Sequence, residues 1–155
     1  MKNFKTELKI GFLIASFLGV YFLIIESAGL SNVAFLRLFN IVFVIVGINI
    51  SIKTNLAKGN TGYLENFGSS IVASFSGIVI SIVGLWCYVS IFKDDLFLKD
   101  LASSVILNGE GITLTQFCVA LLIEGLASTL VLVFISMQYW KNVTHTSRVP
   151  FFNKI

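Results

Sequence analysis

The sequence predicts an all-α integral membrane protein, a four-helix bundle with a short amphipathic helix in the outer loop between spans three and four. Three observations support this fold class. Of the 155 residues, 56% are hydrophobic and 12% are charged, and that charged fraction is about half the value usual for soluble domains. Four apolar stretches are long enough to cross a hydrocarbon core, which takes roughly 20 helical residues. Their apolar residues run continuously and do not alternate, which favours helices over strands.

The four predicted spans belong to a single transmembrane domain that covers residues 1–155. They lie at about 8–28, 33–52, 71–92 and 117–140. Between the first two spans, ESAGLSN predicts a tight turn, so these helices form an antiparallel hairpin. The segment KTNLAKGNTGYLENFGSS between the second and third spans is polar and contains turn-forming glycine and asparagine.

The outer loop KDDLFLKDLASSVILNGEG contains the predicted amphipathic helix. Phe97, Leu98, Leu101 and Val105 fall on one helical face, and polar residues fall on the others. Such a helix either covers the end of the bundle as a lid or presents a docking surface to a partner. The sequence leaves both roles open.

The distribution of basic residues predicts the orientation of the bundle. The outer loop is mainly acidic, whereas the termini and the loop between spans two and three are basic. The positive-inside rule therefore places both termini and the middle loop in the cytoplasm. This placement explains the net charge of +3 without a nucleic-acid partner. The basic residues on the cytoplasmic side are Lys2, Lys5, Lys9, Lys53, Lys58, Lys141, Arg148 and Lys154.

A stripe of small residues in the third span predicts close helix packing. Burial of a membrane helix against another gains little over burial in acyl chains, so small residues that allow close approach mark the contacts. Alternate spacings of four and three place the members of this stripe on one helical face: Ser70, Ser74, Gly77, Ser81 and Gly84.

Four polar residues within or near the spans form the candidate functional cluster. At about 1.5 Å per helical residue, Glu124 lies roughly 10 Å below the outer edge of the hydrocarbon core, and Asn40 lies at about the same depth. Arg37 is one turn above Asn40, and Glu26 is near the depth of Arg37 if the first span extends to Leu30.

This cluster has three interpretations. Arg37 and Glu124, with or without Glu26, can form an ion pair that fixes helix register, and loss of one partner would leave an uncompensated charge. Alternatively, Glu124 is the exchangeable carboxylate of a small ion- or proton-coupled transporter, or it contacts a partner subunit. Inserting a charge into the membrane costs about 2.5 kcal/mol or more, so each interpretation gives the carboxylate a partner or a task.

No sequence motif predicts an enzyme, a metal site or a bound cofactor. His145 is the single histidine and lies outside the spans, and Cys87 and Cys118 have neither a CxxC spacing nor a neighbouring histidine. We therefore expect no catalytic residue, no metal ligand and no cofactor.

Two stretches carry a resemblance to a protein family. MKNFKTELKIGFLIASF has a basic, amphiphilic lead into the first span. GYLENFGSSIVASFSGIVISIVGLWCYVSIFKDD is a glycine- and serine-striped helix with an acidic end. In layout, over most of the chain, these resemble an uncharacterised family of small four-helix inner-membrane proteins from Bacteroidota, a domain of unknown function. The resemblance implies a four-span bundle in a bacterial inner membrane and carries over no catalytic or binding residue.

From these features we expect a small multi-pass protein of structural or accessory type. It would be a non-catalytic subunit or partner of a larger membrane assembly, with the lipid bilayer and either other membrane subunits or further copies of itself as partners. The alternative is the small transporter that uses Glu124.

Overall fold

The described part of the chain folds into four long helices and one short helix. The computed structural model describes residues 4–30, 33–93, 97–98, 101 and 113–146, and these contain no strand. Each long helix is long and apolar enough to cross a membrane. The predicted all-α four-helix bundle is confirmed, and the chain is a small multi-pass membrane protein. The helices are α1 (Phe4–Ser27), α2 (Ala34–Arg37), α3 (Phe39–Ala57), α4 (Tyr63–Phe92) and α5 (Leu114–Thr146).

Helix α4 begins well before the predicted start of the third span at residue 71. Its first turns carry Asn66, Ser69 and Ser70, which are polar and buried inside the bundle. Hydropathy identifies the part of a helix that lipid can surround. A turn whose polar side chains are buried against protein is also helical, but its sequence is not apolar. Helix α4 therefore extends beyond the apolar segment from which the third span is predicted.

Glycines end α1 and α3 in the same way. Gly29 and Gly59 have φ angles of 70° and 82°, in the left-handed region that a glycine enters without steric cost. After α1, the Gly29 N–H donates to the Glu26 carbonyl at 2.9 Å, and the next N–H donates to the Ile25 carbonyl at 3.0 Å. Gly59 repeats this pattern, which satisfies carbonyls that the helix end leaves open. The chain can then reverse direction.

Two hydrogen bonds between helices lie towards the same end of the bundle. Ser69 near the start of α4 donates a hydrogen bond of 2.6 Å to Glu7 near the start of α1. Trp140 near the end of α5 donates one of 2.7 Å to Asn49 of α3. We call the end where α1 and α4 begin the terminal end, and the opposite end the hairpin end.

Helices α1 and α4 approach each other closely at two glycines. A Cβ atom on Gly77 would lie 2.9 Å from the Gly11 carbonyl oxygen, and one on Gly11 would lie 2.8 Å from the Ala73 carbonyl oxygen. The backbones therefore touch where the small-residue stripe meets α1. Along that stripe Ser70, Ser74 and Gly77 are buried, Ser81 is half-buried, and Gly84 is exposed.

Two apolar clusters fill the bundle. At the hairpin end, Leu98 and Leu101 are buried against Phe117 and Cys118 of α5. Phe97, Leu98 and Leu101 thus pack on the bundle, and the other residues of the predicted outer-loop helix, including Val105, lie outside the described residues. The larger cluster occupies the terminal half and contains Ile10, Ile14, Val44, Ile48, Ile52, Ala73, Leu132, Val133 and Met137.

We predict that two glycine substitutions in the same stripe differ in their effect on the free energy of unfolding. Gly77→Ala should lower the free energy of unfolding by about 1–3 kcal/mol, because the new methyl group meets a backbone carbonyl that cannot move aside. Gly84→Ala should be neutral or slightly stabilising, because nothing lies within 4 Å of its Cβ position. Unfolding by SDS titration in mixed micelles measures both. Equal effects of the two substitutions would contradict the assigned α1–α4 contact.

Candidate functional site

Glu26 in the last turn of α1 is held by two residues from the end of α4. The Tyr88 hydroxyl lies 2.9 and 2.7 Å from the two carboxylate oxygens and donates to the carboxylate. The Lys93 ammonium forms an ion pair with Oε1, and the Glu26 and Lys93 side chains are 10% and 29% exposed. The hydrogen bond to Glu26 raises the pKa of the Lys93 ammonium, which therefore stays protonated well above neutral pH. Glu26 is thus neutralised within the chain.

Aromatic rings surround this ion pair. The Lys93 Nζ atom lies 4.8 Å from the ring centroid of Phe97 and 5.7 Å from that of Tyr88, within the range of cation–π attraction. Phe22 meets the Tyr88 ring edge to face at 6.1 Å. We call Glu26, Tyr88 and Lys93 the hairpin-end latch, because together they join α1, α4 and the start of the outer loop.

The partners of Glu26 are ones that the sequence analysis did not assign to it. Depth along the spans associates Glu26 with Arg37 and Glu124, which lie within spans, and leaves out residues beyond the span ends. Lys93 lies immediately after α4, at the bundle end where α1 finishes. Matching charges across helix ends, instead of within spans alone, could have paired Glu26 with Lys93.

Two other members of the predicted cluster, Arg37 and Asn40, lie where α2 ends and α3 begins. The Tyr21 hydroxyl donates to the Leu36 carbonyl at 2.8 Å and so ties α2 to α1. Arg37 is the last residue of α2, and its side chain lies outside the described residues, so its pairing with Glu124 stays a prediction. Asn40 is half-buried, and its Oδ1 atom is buried with no hydrogen-bond partner among the described residues.

Glu124 lies on the outward side of α5. The next residue, Gly125, faces α4, where an added Cβ would lie 3.0 Å from the Ile78 Cγ2 atom. Successive helical residues are rotated by about 100°, so Glu124 lies to one side of that contact, and it is exposed. No hydrogen bond or ion pair is recorded between Glu124 and the part of the chain that the structure describes.

Two hydrogen bonds at the start of α5 define where the helix that carries Glu124 begins. The Thr113 N–H donates to the Gln116 Oε1 atom at 3.0 Å, and the Gln116 N–H lies 3.4 Å from the Thr113 hydroxyl oxygen. This reciprocal arrangement is a capping box, which begins the helix at a defined residue. Between it and Glu124, a shallow depression of about 450 Å³ is lined by Thr115, Gln116, Val119, Ala120 and Ile123.

The two carboxylates therefore differ in what they can do. Glu26 has a cation and a hydroxyl within the chain, whereas Glu124 presents its charge outward from an apolar helix. Across the described ranges, no group of three or more His, Cys, Asp or Glu side chains is placed to hold a metal ion. Of these two carboxylates, Glu124 is therefore the exposed one.

No protein-family profile, curated protein or solved structure matches this chain significantly. The resemblance to the Bacteroidota family of small inner-membrane proteins therefore stays a prediction.

We predict that the hairpin-end latch stabilises the bundle as a coupled pair. Lys93→Met should lower the free energy of unfolding by about 1 kcal/mol or more, because it leaves the mostly buried Glu26 carboxylate without a cation. Adding Glu26→Gln to that variant should restore part of the loss, which a double-mutant cycle in SDS titrations measures. Lys53→Met, at an exposed cation near the terminal end, serves as the matched control. Additive effects of the two latch substitutions would show that the pair is not coupled.

Proposed function

We propose that this protein is a non-catalytic accessory or structural subunit of a larger assembly in a bacterial inner membrane. The exposure of Glu124 on α5 carries the proposal. An ionised carboxylate that points outward from an apolar span is stabilised by a cation or hydrogen-bond donor beyond its own bundle, and a neighbouring membrane subunit can supply one.

The charge is more informative here than the exposed apolar side chains around it. Ile123 is 64% exposed and Val131 is 58% exposed, but lipid chains cover such side chains as well as protein does. An ionised carboxylate facing acyl chains instead costs about 2.5 kcal/mol or more. Contact with a partner removes that cost, so Glu124 marks the side of α5 that meets the partner.

The inner-membrane orientation follows from the basic residues. With both termini in the cytoplasm, Glu124 lies in the outer half of the membrane, roughly 10 Å below the edge of the hydrocarbon core. The partner would therefore approach α5 within the bilayer and on its outer half.

A transporter is the alternative, and the same residue favours it. An unpaired carboxylate within a span can bind a proton or cation and release it after a rearrangement. In that case Glu124→Gln would abolish proton-coupled flux in proteoliposomes while the protein stays folded and monodisperse. In the accessory-subunit proposal, the reconstituted protein has no such flux to lose.

We predict that Glu124→Gln separates the protein from its assembly without unfolding it. Extraction of native membranes into polymer-bounded nanodiscs should recover the wild-type chain with a partner in fixed ratio. The variant should retain about a tenth of that partner, because it loses the charge that the partner neutralises. Glu65→Gln, at an exposed carboxylate in the first turn of α4, should leave recovery unchanged.

Two results would overturn the proposal. Recovery of the wild-type chain without any partner would exclude an assembly subunit. Destabilisation by Glu124→Gln that Arg37→Met partly restores would instead identify the two residues as an internal ion pair.

A further inference from the structure

We infer that Glu124 binds an apolar membrane helix that carries a lysine or arginine at the same depth. This inference rests on the proposed function and names the chemistry of the partner. It concerns one surface, the Glu124 face, which consists of Ala120, Glu124, Ala127 and Val131 on α5.

The residues of this face allow another helix to come close to the carboxylate. Spacings of four, three and four place its members in a row along α5. Glu124, Ala127 and Val131 are exposed and Ala120 is half-buried. An alanine lies one turn to either side of Glu124, which allows a neighbouring helix backbone to approach the carboxylate. The shallow depression beside Thr115 and Ile123 continues the same surface towards the hairpin end.

No lysine or arginine side chain that the structure describes is paired with this carboxylate, and the Arg37 side chain lies outside the described residues. Lys93 is occupied by Glu26 at the hairpin end. Lys53 and Lys58 belong to the end of α3 and its following turn, at the terminal end. The residues one turn from Glu124 on its own face are alanines, which cannot neutralise charge. A cation from outside the chain complements the surface, because ionisable groups within membranes pair with one another.

A second copy complements this face poorly. Two identical copies with the same orientation in a bilayer are related by an axis along the membrane normal, so a two-fold contact joins like residues at like depth. Glu124 would then face Glu124. Two carboxylates at short distance in a low dielectric cannot both remain ionised. A different membrane protein with a cationic residue avoids that repulsion.

The test uses a synthetic transmembrane peptide as the probe. The peptide is a leucine–alanine helix with a single lysine roughly 10 Å below one edge of the hydrocarbon core. Energy transfer between the labelled full-length protein and the labelled peptide is measured in phosphatidylcholine vesicles. We expect the lysine peptide to bind about tenfold more tightly than a peptide with leucine at that position. Moving the lysine two turns deeper should remove the gain.

Variants of the protein test whether Glu124 causes the tighter binding of the lysine peptide. Glu124→Gln should abolish the preference for lysine, and Glu65→Gln should keep it. Ala127→Leu should weaken binding of the lysine peptide without changing the charge, because the larger side chain holds the helix away. All three positions are exposed, and SDS titration checks that each variant remains folded.

Several outcomes would overturn the inference. These are equal binding of the two peptides, a lysine preference that persists in Glu124→Gln, or Glu124-dependent association between labelled copies of the protein itself. The native-membrane experiment separates this inference from the proposed function. If native membranes yield the wild-type chain with a partner, but the lysine and leucine peptides bind equally well, only the inference is refuted. A chain recovered without partners that still binds the lysine peptide refutes the proposed function alone.

Discussion

Backbone contact between α1 and α4 at Gly11 and Gly77 is the constraint on which the rest of the bundle depends. In a membrane, apolar side chains gain little by leaving lipid for protein, so close contact between helices must supply attraction of another kind. The two glycines allow the helix backbones to touch. This contact fixes the relative register of α1 and α4, and it brings Glu26 to Lys93 at one end and Glu7 to Ser69 at the other.

The same α1–α4 pair determines which side of α5 faces outward. Helix α5 packs mainly on α4, with Gly125 against Ile78. The apolar cluster of the terminal half then buries Val133 and Met137 of α5 completely. Once those residues face the interior, the opposite side of the helix must face lipid or a partner. Glu124 lies on that opposite side, so its exposure follows from packing elsewhere along the helix.

Glu26 and Glu124 have the same side chain but different surroundings in the bundle. Glu26 ends a helix beside the ends of its neighbours, where the latch supplies both a hydroxyl and an ammonium. Glu124 lies further from any helix end and points away from the bundle. The first therefore joins two helices of the bundle, and the second faces its surroundings.

The sequence by itself determined the all-α fold class with four apolar helices, and it placed a stripe of small residues on α4 whose partner, α1, only the tertiary structure showed. These follow from composition, from the length of apolar runs and from the spacing of small residues, all of which are local properties. Tertiary structure decided the partners of the polar residues. Depth along a helix can be counted from sequence, but rotation about the helix axis depends on packing, and that rotation turned Glu124 outward. Likewise, the extent of α4 became clear only when Asn66 and Ser70 were seen buried, because a polar residue sheltered by protein has no hydropathy signal.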